Sequence, residues 1–528
     1  MSNHAYESAA ALRPSSNGPI PISTLCERFS LAPASAEDAA ALNDLSILGV
    51  SVDSADTAPG ELFVGLPGFT VHGARFAAEA VASGAVAVLT DADGAQIVRQ
   101  TAPGTPTLVH SDPRAVVGPL SAEVYHHPAR GLVTTAVTGT NGKTTTAYFL
   151  DAILSAHVGG CMVAGTVELR VGERSVESPR TTVEAPVLQR MMALAVEDKV
   201  GAASLEASSH AIVLHRLDGI VVDVAGFTNL QRDHLDFHKT MEGYLEAKAQ
   251  LFTPEHARRG VVCVDDQWGA TLAAEAPIEI DRVRAYPGDT PADWWVSDAA
   301  VSLTDSATTF TLHGPDGEQI EASCPLPGLV NVQNAALALV MAIRAGVPAA
   351  TATTALAGAH NIPGRMQRIS QRDTRRGLCI VDFAHTPDAM ELALKAVRPI
   401  TPGRLIVVFG SDGDRDQGKR PMLGEVCARL ADVLVVTDEN PRSEDPQLIR
   451  NAILEGVRGV RPDLTDVEEI TTWRGDAVRR GVELCGPDDT VIVTGKGHEP
   501  FLEMAGEFIR YNDAPVMAEA VEEKWGRA

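Results

Sequence analysis

Short apolar runs alternate with helix-period stretches along almost the whole chain. Residues 60–66 and 85–90 read as buried strands, with a helical stretch over 74–83 between them. Residues 131–138 form a β-branched run bounded by glycine. After a glycine loop, Tyr148, Phe149, Leu150, Ile153 and Leu154 fall on one broad face of a helix. Buried-type strands recur at 220–227 and 260–264. Residues 301–324 alternate apolar and polar positions around Gly314-Pro-Asp-Gly317, which predicts an antiparallel excursion. Helical patterns at 335–345 and 349–357 lead to the turn Asn361-Ile-Pro-Gly364. A third alternation carries strands at 379–383, 405–409, 433–437 and 491–494. The pattern predicts an α/β protein of three domains. A small N-terminal α/β domain spans 1–129, its first 18 residues a disordered tail. A central parallel-sheet domain of P-loop type spans 130–361, and a Rossmann-like α/β domain spans 362–528.

Composition narrows the class. The 528 residues are 45% hydrophobic and 21% charged, ordinary for a globular chain of about three domains. The formal net charge is −25, from 69 acidic and 44 basic side chains, which argues against nucleic acid or an anionic membrane as partner. Seven scattered cysteines without a CxxC pair predict reduced thiols rather than a disulfide framework. With no apolar run of about 18 residues and no signal-peptide core, the expectation is a cytoplasmic protein without membrane insertion.

The string Gly139-Thr-Asn-Gly-Lys-Thr144 stands between a predicted strand and a predicted helix. Glycines let the backbone approach a phosphate, amides at the helix start face it, Lys143 adds positive charge, and Thr144 offers a hydroxyl to Mg²⁺. Val137 occupies the place of the first glycine of the full P-loop spacing. An incidental turn is the bland alternative, which the setting and the following Thr145 and Thr146 disfavour.

Two segments carry metal-type residues. Ser204-Leu-Glu-Ala-Ser-Ser-His210 ends an apolar stretch with Glu206, and Phe227–His238 contains His234 just after a strand. Each alone reads equally as a capping or hydrogen-bonded residue; with ATP phosphates they make a reasonable Mg²⁺ shell. In Tyr244-Leu-Glu-Ala-Lys-Ala-Gln-Leu-Phe252, Lys248 shares a helical face with Tyr244, Leu251 and Phe252. It reads either as a partly buried amine of depressed pKa or as a lysine snorkelling to water.

Thr138-Gly-Thr-Asn-Gly-Lys-Thr-Thr145 resembles the ATP loop of the Mur ligases and their folylpolyglutamate synthetase relatives, and the resemblance runs from about residue 50 to 519. It implies a three-domain ligase making an amide bond through an acyl phosphate. It implies that Gly139, Thr140, Asn141, Gly142, Lys143, Thr144 and Thr145 bind ATP, and that Thr144, Glu206, His234 and a CO₂-derived carbamate on Lys248 hold two Mg²⁺ ions. Lys143, His234 and Lys248 are the implied catalytic groups. Asn331 (in Gly328-Leu-Val-Asn-Val-Gln-Asn334), Arg365, Asp382 and His385 match positions on the adenine, ribose and phosphate, with closure of the third domain excluding water.

The first segment resembles the family's uridine-binding domain, with Val52 and Ser54 at UDP-contacting positions; Ala55 stands where arginine is usual. Thr181, Thr182, Ser208 and Arg216 match positions holding a muramoyl dipeptide, while Leu214 and Val183 depart from the pattern. Thr437-Asp-Glu-Asn-Pro-Arg442 resembles the motif of members that add meso-diaminopimelate, with Glu439 replacing aspartate. Arg415, Glu439, Asn440, Arg442, Gly495 and Glu499 are the implied acceptor pocket. Arg442 would read the second α-carboxylate and Glu499 the distal ammonium; the bland reading of Arg442 is a surface pair with Glu444 or Asp445.

The resemblance thus implies transfer of a diamino acid to UDP-MurNAc-L-Ala-D-Glu by a monomer using ATP and Mg²⁺. L-lysine or L-ornithine as acceptor stays open because of Glu439 and the Ser411-Asp412 pair. Sibling ligases, or an ATP-binding regulator without ligation, are the more distant readings.

Overall fold

A computed structural model describes residues 11–302, 307–359 and 362–526. By internal contacts the chain forms two compact units, Met1–Trp295 with Ala336–Ala355, and Val296–Ala335 with Leu356–Ala528. Among the described residues no helix is long and apolar enough to cross a membrane.

Among its described residues the first unit carries two main sheets, besides the short antiparallel pair Ile20–Pro21 and Ser46–Ile47. In the N-terminal one, Gly49–Ser51, Glu61–Val64, Ala87–Thr90 and Thr107–Val109 run parallel, and Ala32–Pro33 closes one edge antiparallel. Leu62, Val64, Leu89 and Leu108 fill its core. Residues 1–10 of the expected tail lie outside the described residues. From Leu12 onward the expectation of disorder is overturned, because the segment finds both an apolar and an ionic anchor. Leu12 is fully buried, Arg13 pairs with Asp56 and Glu61, and Ser15 donates to Glu197.

The second sheet is the larger. Cys161–Ala164, Ala202–Glu206, Val133–Thr138, Val222–Phe227, Ala257–Cys263 and Glu279–Arg284 lie side by side and parallel. A hairpin of Glu168–Val171 and Arg174–Glu177 flanks them. The inner strands Cys161–Ala164, Ala202–Glu206, Val133–Thr138 and Val222–Phe227 are almost wholly buried, whereas Glu279–Arg284 alternates buried and exposed positions. The register sets Glu206 opposite Val137 and Phe227 opposite Thr138, so three strands end at one level. In open α/β sheets that carboxyl edge is where ligands bind. The helix Lys143–Val158 follows the central strand and buries Phe149, Leu150, Ile153 and Leu154.

In the second unit, Leu378–Val381, Thr490–Val493, Leu405–Phe409, Val433–Val436 and Val467–Glu469 form a parallel sheet, with Gln367–Ser370 antiparallel at one edge. Thr308–His313 and Gln319–Cys324 pair antiparallel as the alternation predicts, turning at Pro315–Gly317. The helix expected to begin at 335 begins at Leu329. Of the turn expected at 361–364, Asn361 lies outside the described residues.

Candidate active site

The loop after Val133–Thr138 is held by its own neighbours. Gly139 has φ +143°, and a Cβ there would lie 1.9 Å from Thr228 Oγ1. Only glycine fits this approach. Thr228 donates to the Asn141 carbonyl at 2.6 Å, Asn229 accepts the Thr140 amide at 2.9 Å, and Gln231 takes the Asn141 side-chain amide at 2.6 Å. Sequence reading assigned these three residues no role, although polar groups directly after a buried strand were the available signal. Gly142, at φ +89°, caps the helix, so Lys143 and Thr144 open its first turn with Thr145 buried beside them. The first turn of a helix presents N–H groups that the helix itself does not satisfy, which suits an anion.

Glu206 is 1% exposed at the end of its strand. Its Oε2 accepts from Thr144 Oγ1 at 3.0 Å and Thr166 Oγ1 at 2.9 Å, and its Oε1 accepts the Thr166 amide at 2.8 Å. Thr166 is a further residue that sequence reading did not single out. A carboxylate beside a hydroxyl is a hard-oxygen pair of the kind Mg²⁺ takes. Among the described residues no three His, Cys, Asp or Glu side chains gather as a metal-binding group.

Lys248 is 1% exposed, which overturns the snorkelling alternative. Its Nζ donates to the Gly139 carbonyl at 2.8 Å and lies 4.3 Å from the Tyr244 ring centroid. Lys143 donates to the same carbonyl oxygen at 2.9 Å and to Thr140 O at 2.8 Å. Burial first, then this neighbouring ammonium, hold Lys248 well below the ordinary lysine range. The shift favours the neutral amine.

His234, at φ +54°, packs in an aromatic group instead. Its ring lies 4.9 Å from that of His210 and 6.2 Å from that of Tyr244, and His238 stacks on Tyr244 at 4.8 Å. Burial lowers the pKa of all three histidines, that of His238 to about 4.

Thr181, Thr182, Ser208 and Arg216 are brought together. With the Thr166 proton on Glu206, Thr181 Oγ1 donates to Thr166 Oγ1 at 3.1 Å. Thr182 Oγ1 donates to Glu206 O at 2.7 Å and accepts the Ser208 amide at 3.0 Å, and Arg216 donates to Thr182 O at 3.2 Å. Val52 lines a cavity of about 220 Å³ near the N-terminal sheet. Ser54 is buried and donates to Glu79 Oε2 at 3.0 Å.

In the second unit, Asp382, Glu439 and Gly495 follow the carboxyl ends of parallel strands, while Arg365 precedes the sheet and Asn331 lies in a helix. Asp382 accepts the Met366 and Ala384 amides at 2.8 Å each, which fixes the turn that carries Arg365, whose guanidinium sits 4.3 Å over Phe383. His385 Nδ1 is 2.9 Å from Phe383 O. Asn331 donates to Pro327 O at 2.8 Å within a helix.

Lys496, fully buried, ties the acceptor-type motif together, though nothing along the chain singles it out. It donates to Asn440 Oδ1 at 2.8 Å, Glu499 Oε2 at 3.0 Å and Phe501 O at 2.6 Å, while Asn440 donates to Glu499 at 3.1 Å. Arg442 is fixed at φ +54° by backbone bonds to Glu503 and Ala505. Its guanidinium faces Glu503 at 3.2 Å and Asp412 at 3.7 Å. The surface pairing with Glu444 or Asp445 is overturned, since Glu444 takes Arg420 at 2.8 Å and Asp445 caps a helix. Arg415 is exposed on a different loop, the one between Leu405–Phe409 and Lys419–Leu430 that also carries Asp412. Glu439 is 2% exposed, and a Cβ on Gly495 (φ +108°) would lie 2.3 Å from its Oε2. Burial, then Asp412, push its carboxyl up to about 8.

A glycine phosphate loop at the carboxyl edge of a parallel sheet, with a lysine and a hydroxyl–carboxylate pair, defines a nucleotide-binding ATPase-type domain. Residues 46–124, 137–342 and 364–497 match the Mur ligase family catalytic domain, the Mur ligase middle domain and the Mur ligase glutamate ligase domain. The chain is 42% identical over 480 residues (91% of it, 93% of the relative) to a UDP-N-acetylmuramoyl-L-alanyl-D-glutamate–2,6-diaminopimelate ligase of Streptomyces coelicolor. It is 42% identical over 507 residues (95% and 96%) to a UDP-N-acetylmuramyl-tripeptide synthetase of Leifsonia xyli. A solved structure of a ligase with the same name as the first relative is 31% identical with TM-score 0.63, covering 91% of this chain and 96% of that one. The chain belongs to the Mur ligase family and is an ATP-dependent ligase.

Proposed function

We propose that this ligase joins meso-diaminopimelate to the D-glutamyl carboxylate of UDP-MurNAc-L-Ala-D-Glu. The observation that carries the reading is Arg442, two residues after Asn440 of the Asn440–Lys496–Glu499 network, with its backbone bonded to Glu503 and Ala505 and its guanidinium facing Glu503 and Asp412. A planar fork suits the second α-carboxylate that diaminopimelate has and lysine lacks. The names of the relatives support the same acceptor, although the Leifsonia name leaves it open.

The D-glutamyl carboxylate oxygen attacks the γ-phosphorus of ATP, and ADP leaves. The acceptor amine, having lost a proton, then attacks the acyl carbon and phosphate leaves. Lys143 and the first turn of its helix bind phosphate oxygens, while Thr181, Thr182, Ser208 and Arg216 orient the dipeptide end. Asn331, Arg365, Asp382 and His385 serve the rest of the nucleotide, Asp382 by shaping the turn that presents Arg365. Thr144, Glu206, His234 and Lys248 as its carbamate would hold Mg²⁺, which when bound neutralises charge on the transferring phosphoryl group. The buried amine of Lys248, depressed in pKa, fits carbamate formation. Boundaries near 130 and 361 separate nucleotide-sugar, ATP and acceptor domains. Seven free cysteines suit a reducing cytoplasm, and a monomer carries every residue named.

Phosphate release with ATP, Mg²⁺ and UDP-MurNAc-L-Ala-D-Glu, offering diaminopimelate, L-lysine and L-ornithine in parallel, tests the assignment. Turnover with diaminopimelate is expected, and Arg442→Ala should raise its KM about 10- to 100-fold, the scale of a lost charge-assisted pair. Preference for lysine or ornithine would move the acceptor reading to the Glu439 departure. Silence with every acceptor would end the ligase reading.

A further inference from the structure

Neighbouring parallel strands bring two loops together in the second unit. Leu405–Phe409 runs into Asp412 and Arg415, and Val433–Val436 runs into Glu439, Asn440 and Arg442. Phe409 stands opposite Val436, so both loops leave the sheet at one level. They touch closely: the Gly413 amide donates to Asn440 O at 2.8 Å, and a Cβ on Gly413 would lie 1.9 Å from Pro441 O. Arg420 donates to the Asp412 carbonyl at 3.1 Å, which fixes the backbone that presents the Asp412 carboxylate. That carboxylate lies 3.7 Å from Arg442 through Oδ2, an ion pair too long for a hydrogen bond. Its buried Oδ1 has no hydrogen-bond partner among the described residues. Glu503 Oε2 lies 3.2 Å from Arg442 Nε, an atom likewise without a hydrogen bond. Among the described residues neither carboxylate has a second cation at ion-pair distance. Of the other cations, Lys496 is matched by Glu499, Arg474 by Asp513 and Arg420 by Glu444, while Lys419 bears on Glu439 and Arg415 is exposed. One guanidinium between two carboxylates leaves a negative excess at this point. Asp412, 15% exposed against 33% for Glu503, is the less screened of the two.

We infer that Asp412 is a specificity-determining residue, which sets the charge that the distal end of the acceptor meets at Arg442. The inference rests on the acceptor reading proposed above and gives a role to a residue to which the family resemblance assigned none. An acceptor bringing a second carboxylate to Arg442 has to share the guanidinium with Asp412. A distal ammonium instead gains from the Asp412 carboxylate. Diaminopimelate brings both groups and is neutral at that end, lysine brings the ammonium alone, and 2-aminopimelate brings the carboxylate alone. Asp412 therefore favours these acceptors in the order of their distal charge, positive before neutral before negative. It holds back the preference for diaminopimelate that Arg442 alone would give, as a repulsive element does in any site that discriminates by charge.

The test measures phosphate release by the full chain, as wild type, Asp412→Asn and Asp412→Glu, with ATP, Mg²⁺ and UDP-MurNAc-L-Ala-D-Glu. Diaminopimelate, L-lysine and L-2-aminopimelate are the acceptors, and one that is not turned over is measured as an inhibitor of the best acceptor. In Asp412→Asn, the KM or inhibition constant of 2-aminopimelate should fall about threefold or more, and that of lysine should rise by a similar factor. Diaminopimelate should move least, so its ratio to lysine shifts in its favour. High salt should compress these shifts. Asp412→Glu keeps the charge and should keep the wild-type order. Melting curves establish folding, and a packing defect would move all three acceptors in one direction. Shifts that do not follow distal charge, whether absent, uniform or reversed, overturn the inference while leaving the acceptor reading standing. A wild-type chain that turns over no acceptor overturns that reading and this inference together.

Discussion

The phosphate-loop end of the central sheet and the acceptor-type end of the C-terminal sheet both bury cations, and they treat them in opposite ways. At the first, Lys248 is 1% exposed with a backbone carbonyl and a ring face as neighbours, and Lys143 shares that carbonyl. At the second, Arg474 is fully buried against Asp513, both oxygens engaged at 2.8 Å, and Lys496 is matched by Glu499, Asn440 and a carbonyl. A buried charge without a counter-charge is costly and shifts toward neutrality, whereas a paired one stays charged and fixes geometry. The first arrangement favours a reactive amine; the second favours a rigid frame for Arg442 and Glu499.

Replacing each cation by an apolar side chain sharpens the contrast. Arg474→Met strands the Asp513 carboxylate and should cost about 3–5 kcal/mol of stability in denaturant unfolding. A loss below about 1 kcal/mol would mean that the pair is not the frame described. Lys248→Met removes a buried amine whose charged form burial disfavours, so its melting temperature should hold or rise. Its turnover should nevertheless fall on the order of 100-fold or more, as when one electrostatic stabiliser is removed, and ATP binding should persist. Wild-type activity should drop in carbonate-free buffer and return with bicarbonate. A Lys248→Met chain that melts like Arg474→Met would erase the distinction.

Glu439 is the exception within the paired region, and it gives the smallest effect. Its carboxyl is raised from 4.5 to about 8 in the fold. Between those values the unfolded chain gives up a proton that the folded chain keeps, so stability is lost as pH rises through the window. Glu439→Gln carries no such proton. Its melting temperature relative to wild type should climb by a few degrees from pH 5 to pH 9. An advantage that is flat or falls with pH would show that Glu439 is ionised in the fold.

The sequence by itself determined what depends on neighbours in the chain. Strand, glycine loop and helix over 133–158 were legible because apolar periodicity and glycine placement act within a few residues. The burial of Lys248 was legible for the same reason, through its helical face with Tyr244, Leu251 and Phe252. Asp316 likewise sits at φ +59° in the turn that Gly314-Pro-Asp-Gly317 announced. Partner choice between distant residues was left to the tertiary structure. Arg442 faces Asp412 and Glu503 rather than its chain neighbours, Glu184 gathers arginines from 114, 180 and 216, and Leu12 and Arg13 turn a polar tail into packed chain. Periodicity records which face of an element is buried, but a charged side chain has many possible partners of opposite sign. Only the register of the strands and the loops at their ends selects among them.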